Sequence, residues 1–168
     1  MLPQGTLILS TTMKVSEMEA FCYTWVMKHA EGRIAAGGIV IDGGKVLTVI
    51  NRSDNSITFP KGTVEEGESI EAAAIREVRE ETGFDVTVID NLGETTFEFT
   101  WTDGKRYKKK MHFFLMKLSG AEVAAQRLEP DENFDVEWLS IDHARKELTF
   151  KDSKDLLEIA LKSSKLVY

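Results

Sequence analysis

Short apolar runs separated by polar, glycine-bearing breaks set the rhythm of the chain from Arg33 onward. "IAAGGIVI" and "KVLTVI" flank Asp42-Gly43-Gly44, and Asp-Gly between two such runs is a hairpin signal. "NRSDNSITFPKG" then predicts a polar loop, a short strand at Thr58 and Phe59, and a turn marked by Pro60 and Gly62. The period changes at Ser69. Ile70, Ala74, Ile75 and Val78 recur at helical spacing, so Ser69 to Thr82 reads as a helix stopped by Gly83. "FDVTVI" and "TTFEFTW" return to strand character, Asp103-Gly104 turns, and a long strand runs roughly from Arg106 to Leu118. After a loop around Pro130 come a last strand, "FDVEWL", and two helices, "DHARKEL" and "SKDLLEIALK".

Strands outnumber helices and the first ones join as hairpins. The pattern therefore points to an α/β architecture, a mixed β-sheet sandwiched between α-helices, rather than a doubly wound parallel fold. Residues 33–168 read as one domain and residues 1–32 as an N-terminal extension. Within the extension, Ser16 followed by Glu19 looks like a capping box opening a helix with Met18, Phe21, Cys22, Trp25 and Val26 on its apolar side. Such a helix would pack on the domain or on a second subunit, so a homodimer is among the expectations.

Charge and cysteine content narrow the classes. The net charge of -7 argues against non-specific nucleic-acid binding through a wholly basic surface. No apolar run approaches bilayer-spanning length, so the chain is expected to be soluble with no membrane partner. The N-terminus lacks the pattern of a signal peptide. A single cysteine, Cys22, excludes an internal disulfide or a multi-cysteine zinc site and fits a cytoplasmic location. Its apolar neighbours make it a small core residue rather than a reactive thiol.

Chemistry enters at "GTVEEGESIEAAAIREVREETGF", Gly62 to Phe84. A glutamate-rich helix is ordinarily a solvated face. Here, however, Glu77 is followed at the interacting spacings by Glu80 and Glu81, like charges that cost about 0.2–0.5 kcal/mol per pair. Arg76, four residues before Glu80, is the attractive partner. Carboxylates gathered on one side are poor alone and good around a hard divalent cation, which takes oxygen ligands. Gly62 and Gly67 in the preceding loop permit close approach of the backbone to an ion or a phosphate.

The run Gly62, Glu68, Arg76, Glu77, Val78, Glu80, Glu81, Gly83, Phe84 matches without a gap the pattern G-x5-E-x7-R-E-U-x-E-E-x-G-U, where U is a bulky apolar residue. In this the chain resembles the Nudix hydrolases, from roughly Arg33 to Leu161. The resemblance implies the Nudix fold and hydrolysis of a pyrophosphate bridge in a nucleoside diphosphate linked to a further group. It makes Glu77, Glu80 and Glu81 metal-binding carboxylates for Mg²⁺, with Mn²⁺ as a substitute, and the Gly62 carbonyl a further ligand. Arg76 should orient a glutamate and Glu68 brace the loop. It also brings in Glu132, in "LEPDENFDVEWL", as a carboxylate reaching the metal site; on composition alone an exposed acidic loop is an equal reading. Which glutamate serves as base is open.

"FPKG" and "YKKKMHFFLM" resemble the diadenosine tetraphosphate (Ap4A) hydrolase branch, which implies polyphosphate-binding roles for Lys61 and Lys109. Read structurally, "KRYKKK" is the solvated end of a hairpin. Strand alternation puts Lys109 on one face with Met111 and Phe113, and Lys108 and Lys110 on the other. The same resemblance makes Tyr107 and Phe150 candidate base-stacking residues, with Phe97, Phe99 and Trp101 as alternatives, though any of these aromatics is more often core than platform. His112 reads as a wall or core residue, while His29 and His143 read as surface positions. The expected partner is a nucleoside polyphosphate, with cleavage of diadenosine tetraphosphate to ATP and AMP leading. Rival readings are a (d)NTP pool sanitiser, an RNA 5' pyrophosphohydrolase, an inositol pyrophosphate phosphatase, and a non-catalytic nucleotide-sensing module, which the intact glutamates disfavour.

Overall fold

A computed structural model of the protein describes residues 34–100, 106–128 and 132–165. The elements run β1 (Ala35–Asp42), β2 (Lys45–Asn51), β3 (Ser56–Thr58), β4 (Lys61–Thr63), α1 (Ile70–Thr82), β5 (Phe84–Thr100), β6 (Arg106–Val123), β7 (Phe134–Ser140), α2 (Ile141–Glu147) and α3 (Lys151–Leu161). The sheet is mixed: β1 lies parallel to β6 and antiparallel to β4 and β2, while β2 pairs antiparallel with both β3 and β7 and β5 with β6.

Side-chain alternation splits the core into two layers. On one face of β1 and β6, Ala36, Val40, Phe114 and Met116 pack against Ala73, Ala74 and Val78 of α1. On the other, Ala35, Ile39, Met111, Phe113 and Leu115 meet Ala144, Leu148, Leu156, Leu157 and Ala160 from the α2 and α3 region. The sheet is thus sandwiched between helices, as the hydrophobic pattern predicts. Among the described residues no helix is long and apolar enough to cross a membrane.

The cap signals of α1 hold to the residue, whereas α2 and α3 begin one and two residues before the expected "DHARKEL" and "SKDLLEIALK" and each ends one residue earlier. Ser69 caps α1 by accepting from the Ala72 N–H at 3.1 Å. Gly83 takes the left-handed conformation, φ 78°, and its N–H donates to the Arg79 carbonyl at 2.8 Å, as a helix terminator should. Four strand expectations change. Pro60 and Gly62 do not mark a turn: Lys61–Thr63 forms β4, paired with Ala35, Ala36 and Gly37. Pro60 precedes it, where the missing N–H costs no ladder bond, and its carbonyl accepts from the Gly38 N–H at 3.1 Å. The short strand expected at Thr58 and Phe59 lies at Ser56–Thr58. "FDVTVI" and "TTFEFTW" are stretches of one strand, β5, whose register shifts absorb the residues between them, and β6 runs on to Val123. The helix expected after Ser16, the Asp103-Gly104 turn, and Glu129, Pro130 and Asp131 lie outside the described residues.

Candidate active site

Glu77 and Glu81 sit one turn apart on α1 and both are buried, 8% and 3% exposed. The face they share turns toward β4. The Lys61 N–H donates to Glu81 Oε2 at 3.1 Å, and the Gly62 backbone lies directly against the Glu77 carboxylate. Arg76 ties the cluster together. Its Nε and Nη2 reach Glu68 Oε1 and Oε2, each at 2.9 Å, while Nη1 reaches Glu77 Oε1 at 2.7 Å and Glu80 Oε2 at 3.0 Å. Nη2 also donates to the Thr63 carbonyl at 3.0 Å. A planar guanidinium suits this forked arrangement where an ammonium would not. Glu68 in turn accepts from the Glu65 N–H at 3.2 Å, bracing the loop between β4 and α1.

The carboxylates are electrostatically strained. Burial pushes Glu77 up to about 7, with Arg76 opposing and Glu80 and Glu132 adding to the rise. Burial also raises Glu81 well above the ordinary range; Lys61 opposes, and Glu77 and Glu132 reinforce it. Glu68, hydrogen-bonded to Arg76, is lowered instead. Lys109 is 3% exposed and is pushed down to about 6, chiefly by burial and then by the charge of Lys61, while Glu77 acts the other way. The structure therefore brings Lys61, Lys109 and Glu132 into the electrostatic neighbourhood of the helix glutamates, although all three are distant from them in sequence.

Among the described residues no three acidic, histidine or cysteine side chains converge at metal-holding spacing, and Arg76 engages both Glu77 and Glu80. The donor set nevertheless suits a hard divalent cation. It consists of oxygens, two carboxylates in it are buried and raised by burial and like charge, and a glycine leaves room for the Glu77 carboxylate. Glu77, Glu80, Glu81, Glu132 and the Gly62 carbonyl are the groups that would hold one.

Phe150 is half-buried just before α3, and its neighbour Thr149 exchanges hydrogen bonds with Ile57 on β3. The Tyr107 backbone pairs with Phe99; the side chains of both, like that of Phe97, lie outside the described set, as does Trp101. Lys110 points away and pairs with Glu94 at 3.0 Å, as alternation predicts. His112 Nε2 lies 2.7 Å from Asn91 Oδ1 and its ring stacks on Phe114, consistent with a wall residue. Sequence reasoning missed the segment after β6: Ala124, Gln126 and Arg127 donate to the carbonyls of Gly83, Glu81 and Glu80 at 2.8, 2.6 and 2.8 Å. A polar loop docking on helix carbonyls leaves no periodic trace.

A NUDIX domain model matches residues 32–158, and the chain belongs to the Nudix family. It is 38% identical over 136 residues to the mutator protein MutT4 of Mycobacterium tuberculosis (strain CDC 1551 / Oshkosh), covering 75% of this chain and 53% of that protein. It is 31% identical over 126 residues to the RNA pyrophosphohydrolase of Wolbachia pipientis subsp. Culex pipiens (strain wPip), covering 69% and 70%. The chain thus spans only about half the length of the first of these. A crystal structure of a C. elegans Ap4A hydrolase complex superposes with a TM-score of 0.57 at 24% identity, covering 76% of this chain and 93% of that one, a likeness of fold.

Proposed function

We propose that the protein is a Mg²⁺-dependent pyrophosphohydrolase cleaving a pyrophosphate bond in a nucleoside polyphosphate, with diadenosine tetraphosphate, cut to ATP and AMP, as the leading substrate. The observation that carries the reading is the joint placement of Lys61 and a buried Lys109 beside the carboxylates of α1.

A bound divalent cation would neutralise charge on the phosphoryl oxygens and activate water. The residues do the rest. Arg76 holds Glu77 and Glu80 in place, and Glu68 holds Arg76. Lys61 and Lys109 bind the phosphates; a phosphate next to Lys109 offsets the cost of its buried charge, so substrate binding draws a proton onto this amine. Glu132 completes the carboxylate set from the loop before β7. Tyr107 and Phe150 are the proposed platforms for the base.

A second reading is hydrolysis of a (d)NTP or of an RNA 5' triphosphate end, supported by the likeness to MutT4 and to the RNA pyrophosphohydrolase. Product analysis with Mg²⁺ over a panel of dinucleoside polyphosphates, (d)NTPs and triphosphorylated RNA separates the two. ATP plus AMP at the highest kcat/KM supports the leading choice; faster pyrophosphate release from a (d)NTP or RNA end replaces it. Loss of turnover in Glu81→Gln is expected, and unchanged turnover overturns the assignment of the carboxylates.

A further inference from the structure

The loop that carries Glu132 has little sheet to hold it. Strand β7 begins at Phe134, paired with Asn51 at the last residue of β2, so residues 132 and 133 lie beyond the ladder. We propose that Gln126 and Arg52 are positioning residues for Glu132, clamping this loop to the C-terminal end of α1 and to the end of β2; the inference rests on the role given to Glu132 above.

Gln126 Nε2 donates to the Glu81 carbonyl at 2.6 Å and to the Phe134 carbonyl at 3.2 Å. A carboxamide nitrogen has two N–H groups, so one side chain serves both acceptors. It joins the helix that carries the buried carboxylates to the strand that Glu132 precedes. Ala124 and Arg127 pin the same segment to the Gly83 and Glu80 carbonyls. From the other side, the Arg52 N–H donates to the Asn133 carbonyl at 3.0 Å, and the Arg52 guanidinium grips both oxygens of Asp135, with Nε to Oδ2 at 2.7 Å. Glu132 is thus bracketed by Gln126 and Phe134 on the helix side and by Asn133 and Asp135 on the β2 side. Its negative charge is felt by both Glu77 and Glu81, which a loop swung outward would not permit.

A double-mutant cycle on the full chain tests this. Gln126→Met keeps the length of the side chain and removes both donors. It is measured alone and in a Glu132→Gln background, reading Mn²⁺ affinity by electron paramagnetic resonance and kcat on the best substrate of the panel. Outer hydrogen-bond partners of metal sites are worth about 10–100-fold in affinity or activity, so a loss of about tenfold is expected in whichever quantity Glu132→Gln lowers. In the Glu132→Gln background that loss should vanish, because a residue acting through Glu132 has nothing left to position. Arg52→Gln should behave likewise, and serves if Gln126→Met does not fold. Where Glu132→Gln lowers a quantity, equal losses in both backgrounds, or no loss from Gln126→Met and Arg52→Gln, overturn the clamp alone. If Glu132→Gln changes neither quantity, the role of Glu132 falls and the clamp with it.

Discussion

Gly62 and Glu77 are in direct contact: a Cβ at position 62 would stand 2.2 Å from the Glu77 carboxylate, closer than any real side chain approaches. Glycine leaves the space that the carboxylate occupies, and Arg76 holds the carboxylate in it. Gly62→Ala must displace the carboxylate or β4, and overpacking of this kind costs about 1–3 kcal/mol. A lowered melting temperature together with at least a tenfold loss of kcat is expected. Full activity would mean that the Glu77 position is unimportant.

Arg76 makes five hydrogen bonds, to three carboxylates and the Thr63 carbonyl. Lysine retains the charge and loses the fork. Arg76→Lys should therefore lose more than one charged hydrogen bond, each worth about 1.5–3 kcal/mol, partly recovered by water at this half-buried site. Urea denaturation reads the stability, and kcat should fall as well. Stability within error of the parent would show that net charge, rather than geometry, holds the cluster.

The raised Glu77 carboxyl gives a pH signature with a definite sign. Its folded value of about 7 lies above the ordinary 4.5, so between these values the native state holds more protons than the unfolded one and stability falls as pH rises. Glu77→Gln should flatten that part of the profile measured by thermal denaturation without metal. Mg²⁺ should raise the melting temperature more at pH 8 than at pH 5.5, since it needs the ionised carboxylates. A rise independent of pH would contradict this account.

Lys109 has the opposite sign. With a folded value of about 6 against 10.5 ordinarily, the unfolded state binds more protons in that window, and this residue's contribution makes stability rise with pH. Lys109→Met should remove that slope, while KM rises about tenfold, a loss on the scale of one charge-assisted contact, and more for tetraphosphates than for shorter substrates. Calorimetry in two buffers of different ionisation enthalpy should detect proton uptake on nucleotide binding in the parent and a smaller uptake in the variant.

Legibility followed range. Glu77, Glu80, Glu81 and Arg76 lie within two turns of one helix, so spacing alone announced them, as it did the Ser69 and Gly83 caps. Strand β4 was hidden because Pro60 and Gly62 are turn formers whose strand role depends on β1 beside them. The continuity of β5 was hidden by its bulges. Lys109 was legible only as one of three lysines: alternation gave its face, but its depth of burial comes from the packing of that face. Gln126 and Arg52 left no signal, since their acceptors are distant backbone carbonyls and an exposed aspartate, and any polar residue in a loop looks alike.

The parallel pairing of β1 with β6 joins segments far apart in the chain, and Gly83 at the end of α1 closes onto Ala124 just beyond β6. Contacts of such long sequence separation form slowly. A chain emerging from the ribosome therefore carries the whole glutamate motif well before it can bury it. The motif is written in the middle of the chain, but the carboxylate cluster it builds assembles late, once the sheet has closed beside it.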